Sequence, residues 1–344
     1  MAAGAVTVLI ATPLEAEHVH RIEAADPRVC VIYEPDLLPA PQYVADHGGT
    51  PRDLPPAELA RWADLRALAE VSYDFDWQAP GQMAANCPRL RWVQGTSAGL
   101  GQFLQRTGLD QAPLVITTAA GVHGVPLAEF ALTGLLYFIK DVPGLRARQA
   151  AAHWLPQETG MLAGSRALVV GLGGIGREVA RALAAAGVEV IGAGRPGREY
   201  NVFGVSGYVT DTAIDEVLPG VSSVVLACPL TERTRHLVGA RQLALLPRGA
   251  IVVNVARGAV IDETALAAAL ASGHLGGACL DVFEKEPLPA SSPLWAMPNV
   301  LVSPHTASTV AAENALITDL FIDNLHRWLD GAPLRNVYDR AAGY

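Results

Sequence analysis

Residues 167–195 read ALVVGLGGIGREVARALAAAGVEVIGAGR. An apolar run (ALVVG, 167–171) meets a glycine-rich turn (GLGGIG, 171–176), and a helical run and a second apolar run (VEVIGA, 188–193) follow. GxGxxG alone is a weak pattern, but a strand, turn, helix and strand in succession are the context in which it has a physical job. Gly171 permits the tight turn, Gly173 lets backbone amides approach a pyrophosphate, and Gly176 allows close packing of helix on strand. The helix start adds partial positive charge. The backbone of Gly171, Gly173, Gly174, Ile175 and Gly176 is therefore expected to hold a dinucleotide, a purely structural glycine turn being the bland alternative.

The end of the second run shows which dinucleotide to expect. A binder of NAD places Asp or Glu about 20 residues on, to accept from the ribose hydroxyls, whereas arginine there suits the 2′-phosphate of NADP. Here the run ends at Ala193-Gly194 without a carboxylate, and Arg195 and Arg198 follow. A guanidinium grips phosphate in a forked geometry, and each charge-assisted hydrogen bond contributes roughly 1.5–3 kcal/mol. NADP is the expected cofactor. The alternative is NAD, with Arg195 merely stacked beside the adenine.

Outward from this unit the chain keeps alternating. Downstream apolar runs are SVVLAC (223–228), AIVVNV (250–255), GACLDV (277–282) and VLVSP (300–304), the near-continuous kind that suits parallel strands covered on both faces. Between them lie helical runs, among them ETALAAAL after the N-cap candidate Asp262. Upstream, VTVLIAT (6–12), RVCVIY (28–33), RLRWVQG (89–95) and LVITTA (114–119) are β-type runs, the first two flanking a helical LEAEHVHRIEAAD. The implied class is α/β, with parallel βαβ units. Residues 126–149 read as helical, with Leu127, Phe130, Ala131 and Leu135 on one face, and a long amphipathic helix ends at Gly331 and Pro333. Residues 34–57 interrupt the rhythm with six prolines and a Gly-Gly pair, and read as neither helix nor central strand. Such long loops serve as lids or interface pieces, or are simple surface excursions.

The bulk numbers agree. The 344 residues have length for about two domains on a prior of roughly 150 each. A hydrophobic fraction of 51% with 17% charged residues describes a chain able to bury a core. A net charge of −9 argues against a nucleic-acid partner. The four cysteines form no CxxC, which favours reduced thiols and no zinc site. His18 and His20 lack a nearby third ligand and read as a solvated helix face. The N-terminus lacks a signal-peptide pattern and the longest apolar stretch is too short to span a bilayer, so a cytoplasmic protein without a membrane partner is expected.

Three chemically capable side chains follow strands of the sheet that holds the glycine turn. Arg257 lies beyond AIVVNV, Glu286 beyond GACLDV and His305 beyond VLV, at strand carboxyl ends, where open α/β sheets bind ligands. Singly each has a dull explanation: a solvated arginine, a turn glutamate, a capping histidine.

The stretches NVARGAVIDETAL, GGACLDVFEKEPL and VLVSPHTAS resemble the signatures of the D-isomer-specific 2-hydroxyacid dehydrogenase family. So do VVGLGGIGREVARAL, CPLTERTRHLVGA and, more loosely, VQGTSAGL and GVHGVPLAEFAL, the match being dense from about 89 to 310 and thin before. The resemblance implies two Rossmann- or flavodoxin-like doubly wound parallel-sheet domains with a cleft between them. Residues 1–118 plus 309–344 would form the substrate domain and 119–308 the dinucleotide-binding Rossmann domain. It also implies a homodimer, to which the helix near Pro126 could contribute, and hydride exchange between NAD(P) and a small 2-keto or D-2-hydroxy acid. Arg257 would hold the substrate's carboxylate and carbonyl together with backbone amides of Ser97, Ala98 and Gly99. His305 would be the acid, oriented by Glu286. Pro229 and Thr234 resemble a loop near the adenosine, and Ala256, Arg257, Asp281 and His305 match positions near the nicotinamide. A buried structural role is the alternative for Asp281.

His123 stands where many relatives place asparagine, which suggests an altered contact, and the proline-rich segment has no familiar counterpart. Glyoxylate or hydroxypyruvate reduction is the favoured activity. Glu286 disfavours the formate-oxidising branch, while a phosphite-type dehydrogenase would keep the same Arg, Glu and His types. A dinucleotide-sensing corepressor-like binding protein is the alternative of another class.

Overall fold

A computed structural model of the chain describes residues 5–343. The chain divides into two compact units, at His123/Gly124 and again at Ser308/Thr309.

The first unit opens with β1 (Val6–Ile10), α1 (Ala16–Glu23), β2 (Val29–Ile32), α2 (Pro56–Arg66) and β3 (Val71–Tyr73). It continues with α3 (Met83–Asn86), β4 (Trp92–Gln94), α4 (Gly101–Thr107) and β5 (Val115–Thr117). The sheet runs β2-β1-β3-β4-β5, every neighbour parallel, with Val8 opposite both Val31 and Val71. Its winding direction reverses between β1 and β3, the arrangement of flavodoxin-like sheets. β3 lies between β1 and β4, yet its three residues, one of them Ser72, show no apolar run in the sequence.

The proline-rich excursion is anchored rather than loose. Pro35–Leu37 make a short 3-10 turn, Ala40 and Thr50 pair across an antiparallel bridge, and Leu37, Leu38 and Leu54 are buried with Trp62 of α2. Its last prolines do enter a helix, contrary to the sequence reading: Pro56 opens α2, where a missing N–H removes no hydrogen bond. Midway, the Thr12 hydroxyl donates to the His47 carbonyl at 2.9 Å and lies 3.3 Å from His47 Nδ1, fastening the excursion to the chain just past β1.

The second unit holds α5 (Gly124–Ile139), α6 (Val142–Ala150), β6 (Arg166–Val170), α7 (Gly174–Ala185), β7 (Glu189–Gly194) and β8 (Val205–Thr210). Then come β9 (Ser223–Leu226), α8 (Ala240–Leu245), β10 (Ile251–Asn254), α9 (Glu263–Ala271), β11 (Gly277–Leu280) and β12 (Val300–Val302). The seven parallel strands lie in the order β12-β11-β10-β9-β6-β7-β8, with the switch between β6 and β9 beside the glycine turn. This is the Rossmann order extended by one strand. The helix expected over 126–149 is in fact two, because Asp141 takes a left-handed conformation (φ 48°) and caps α6 by accepting from the Gly144 amide.

The chain then returns to the first unit as α10 (Glu313–Leu329), which lays Ile317, Phe321 and Leu325 against Tyr73 and Trp92. Each such side chain contributes about 1.5–3 kcal/mol on full burial. Trp92 and Phe321 stack with centroids 5.3 Å apart. The fold is thus α/β, two doubly wound parallel-sheet domains. Among the described residues no helix is long and apolar enough to cross a membrane, all four cysteines are free thiols, and no cluster of three His, Cys, Asp or Glu is placed to hold a metal.

Candidate active site

In the second unit the turn between β6 and α7 has the form its glycines imply. Gly171 sits at φ +95°, and a Cβ there would lie 2.6 Å from the Cys228 backbone, while a Cβ on Gly176 would strike the Gly171 carbonyl at 1.7 Å. Gly173 is different: a Cβ added to it meets nothing within 4 Å. Gly173 is also the N-cap of the 12-residue α7, and Gly173 and Gly174 are exposed, so the helix start, whose first amides have no partner within the helix, begins at open space. That opening fits a pyrophosphate held by helix-start amides. Beside it, burial pushes the Cys228 thiol up to about 12, which keeps it protonated and inert.

Past β7 lies the cationic turn. The Arg195 amide donates to the Tyr200 hydroxyl at 2.9 Å, and the Arg198 guanidinium stands 5.5 Å over the Tyr200 ring. Past β9, the Thr234 hydroxyl donates to the Pro229 carbonyl at 2.7 Å and accepts from the Thr231 amide at 2.8 Å. Thr234 therefore braces this loop from within, engaging the backbone of both Pro229 and Thr231. Asp211, a buried carboxylate that no sequence pattern marks, donates its backbone amide to the Gly194 carbonyl (2.8 Å) and pairs with Arg233 at 3.0 Å.

The catalytic candidates follow β10, β11 and β12. Asn254, fully buried at the end of β10, accepts from the Ala256 amide at 3.0 Å and donates to the Arg257 carbonyl at 3.2 Å, so it sets the turn that presents Arg257. A lone amide closing an apolar run was the available signal, and it is a weak one. Arg257 donates to the Ala256 carbonyl at 2.7 Å. Burial lowers its pKa, and the negative charges of Glu286 and Asp281 oppose that shift.

Glu286 accepts the Phe283 amide on one oxygen (2.9 Å) and His305 Nδ1 on the other (2.8 Å). Burial would raise its pKa, but hydrogen bonds from His305 and the Phe283 amide, with the charges of His305 and Arg257, hold the carboxyl below its usual range. With Nδ1 so engaged, Nε2 is the ring nitrogen left for chemistry. His305 adopts φ +59°, a left-handed conformation that costs a non-glycine residue roughly 1–3 kcal/mol and concentrates at functional sites. Asp281 holds the strained turn in place: one oxygen accepts from the Ser303 hydroxyl at 2.6 Å and from the Ala307 amide at 3.0 Å. Arg257, Glu286 and His305 are thus brought together.

Ser97, Ala98 and Gly99 belong to the first unit, just beyond β4, with Ser97 and Gly99 exposed and the Ser97 carbonyl accepting from the Ala119 amide at 3.0 Å. His123 is a buried residue of the same unit, its Nε2 lying 3.1 Å from Glu313 Oε1.

Residues 132–307 match the family described as D-isomer specific 2-hydroxyacid dehydrogenase, NAD binding domain. An (S)-sulfolactate dehydrogenase from Chromohalobacter salexigens is 33% identical over 251 residues, covering 72% of this chain and 80% of that one. A glyoxylate/hydroxypyruvate reductase A from Salmonella newport is 31% identical over 297 residues, 85% of this chain and 93% of that one. Among solved structures, a D-isomer specific 2-hydroxyacid dehydrogenase from Xanthobacter autotrophicus Py2 in complex with NADPH and MES superimposes with TM-score 0.79 at 32% identity, covering 99% and 100% of the two chains. An NADPH-dependent glyoxylate/hydroxypyruvate reductase from Sinorhizobium meliloti, in complex with NADP and sulfate, gives 0.77 at 26% identity, covering 98% and 100%. The chain belongs to the D-isomer specific 2-hydroxyacid dehydrogenase family, and it is an NAD(P)-dependent oxidoreductase.

Proposed function

We propose that the protein reduces a small 2-keto acid of the glyoxylate or hydroxypyruvate kind to the D-2-hydroxy acid, with NADPH preferred over NADH. The second unit serves as the cofactor domain and the first as the substrate domain. The observation that carries this reading is the 2.8 Å hydrogen bond between His305 Nδ1 and Glu286. It orients the ring and favours the imidazolium, whose second proton sits on Nε2, and that Nε2–H is the group that donates to the substrate oxygen as charge develops there.

Arg257 pairs its forked donors with the substrate's carboxylate and carbonyl, orienting the ketone and polarising it. In the first unit the amides of Ser97, Ala98 and Gly99 are the groups proposed for substrate binding. When bound, the nicotinamide supplies the hydride. The amides of Gly173, Gly174, Ile175 and Gly176 would hold its pyrophosphate, Pro229 and Thr234 would flank the adenosine, and Ala256 and Asp281 would face the nicotinamide side. Arg195 and Arg198 would take the 2′-phosphate. The relative named glyoxylate/hydroxypyruvate reductase A supports the substrate class, and the two neighbours solved with NADPH or NADP support the cofactor. The protein acts as a homodimer in the cytoplasm.

The deciding experiment is a turnover screen of glyoxylate, hydroxypyruvate and other 2-keto acids, each with NADPH and NADH, run alongside sulfolactate and phosphite oxidation. Reduction of a 2-keto acid with a clear NADPH preference is expected. Activity with phosphite alone, or turnover with none of these, overturns the reading.

A further inference from the structure

The cationic turn past β7 is held in shape by one side chain that neither the glycine motif nor the arginines account for. The tyrosine ring of residue 200 fills the space beside Gly194: a Cβ there would lie 2.2 Å from Tyr200 Cε2 and 2.5 Å from Cζ. Its hydroxyl accepts the Arg195 amide at 2.9 Å, and its face carries the Arg198 guanidinium at 5.5 Å. The ring is itself braced by Tyr208 of β8, stacked 6.4 Å away at 17°. Tyr208 in turn accepts the Val202 amide at 2.8 Å, and Arg177 of α7 ties the Leu172 carbonyl (3.2 Å) to the Asn201 carbonyl (3.4 Å). The turn from Arg195 to Val202 is therefore pinned at its start, its end and its flank, and two of those pins are tyrosine hydroxyls.

We propose that Tyr200 is a positioning residue for cofactor selection: it holds the Arg195 backbone and the Arg198 side chain as one preorganised cradle for a 2′-phosphate. This rests on the NADP reading given above. Long arginine side chains lose rotamer freedom when they bind, and a cradle fixed beforehand lowers that loss. A phosphate-free nucleotide does not use the cradle, so Tyr200 should affect one cofactor and spare the other. Glu199, exposed between Arg198 and Tyr200, is the turn's one carboxylate, and a turn released from Tyr200 would bring it into play against the phosphate.

The test is calorimetric binding of 2′,5′-ADP and 5′-AMP, and of NADPH and NADH, to wild type, Tyr200→Leu, Tyr200→Phe, Gly194→Ala and Arg195→Ala. For Tyr200→Leu, affinity for 2′,5′-ADP and NADPH should fall about tenfold while that for 5′-AMP and NADH stays within about twofold. Tyr200→Phe keeps the packing and loses only the hydroxyl, so its loss should be smaller and equally selective. Gly194→Ala should reproduce the selective loss with the tyrosine intact. If wild type favours 2′,5′-ADP, and Arg195→Ala abolishes this while all the Tyr200 and Gly194 variants keep it, the role of Tyr200 is overturned and the NADP reading stands. Equal weakening of both nucleotides likewise overturns it, as a merely structural effect. If wild type itself shows no preference for 2′,5′-ADP, both fall together.

Discussion

His305 Nδ1 donates to Glu286 Oε2 across 2.8 Å while the other Glu286 oxygen is occupied by the Phe283 amide at 2.9 Å. The carboxylate is thus fixed by its own loop before it fixes the imidazole. Glu286→Gln removes the charge and retains the shape. We expect kcat to drop about a hundredfold or more, as for loss of a properly held general acid, with little change in NADPH affinity. Wild-type kcat in this variant would remove Glu286 from its role.

The same carboxylate gives a stability signature. Its pKa in the folded protein is depressed, so it stabilises the fold above the unfolded-state value of about 4.3 and stops doing so as pH falls through the folded-state value. Urea unfolding of wild type and Glu286→Gln at pH 7 and below pH 4 should therefore show the variant less stable at neutral pH and the gap closing in acid. A gap that widens on acidification contradicts the assignment.

His305→Ala should abolish turnover, at least a hundredfold, while NADPH still binds, because the amides proposed to hold its pyrophosphate lie on α7 and the β6 turn. Relief of the left-handed φ does not occur on this substitution, since alanine is no freer than histidine there. Thermal stability at neutral pH should nevertheless fall somewhat, because Glu286 loses the Nδ1 donor that helps hold its charge. Turnover near wild type would exclude His305 as the acid.

Much of this was legible in sequence because parallel strands buried on both faces must be apolar throughout. ALVVG, SVVL and IVVN could hardly be anything else. β8 (VSGYVT) escaped because it is an edge strand, half exposed along its length with a glycine inside, so no apolar run forms. The three candidates Arg257, Glu286 and His305 could be picked out because each follows a strand of one sheet. Glu313 was not: its neighbours His123 and His47 are distant in sequence, and His123 Nε2 meets it across 190 residues. Asp141, by contrast, is local, but a left-handed aspartate inside an otherwise helical pattern leaves no trace in periodicity.

Glu313 carries a prediction of its own. It is 5% exposed, one oxygen lies 3.1 Å from His123 Nε2 and 4.0 Å from His47 Nε2, and the other oxygen has no hydrogen-bonding partner among the described residues. A buried carboxylate losing a donor costs about 1–3 kcal/mol, so His123→Ala should destabilise by that amount. Because the two histidines share a carboxylate, His47→Ala and His123→Ala should not add, with a coupling of about 0.5–3 kcal/mol by urea unfolding. Strict additivity would mean that His47 is held by Thr12 alone.

The last prediction concerns assembly. Beyond α6 the stretch 153–161 has no regular structure, yet it is tied down: Gln157 donates to Asp141 at 2.6 Å, and Lys140 donates to the Gly160 carbonyl at 2.8 Å. On it Trp154 is 93% exposed and Met161 74%, with Leu155 also exposed, as is Leu145 of α6. A fastened arm displaying large apolar side chains is preorganised for contact, which lowers the ordering cost of association. The proposed partner is a second copy of the chain. Light scattering after size exclusion should show a dimer for wild type and a monomer for Trp154→Glu, since a charge buried at such a contact is strongly unfavourable. A wild-type monomer at high protein concentration would leave the arm with no second copy to meet, and a dimer that survives Trp154→Glu would place the contact elsewhere on the chain.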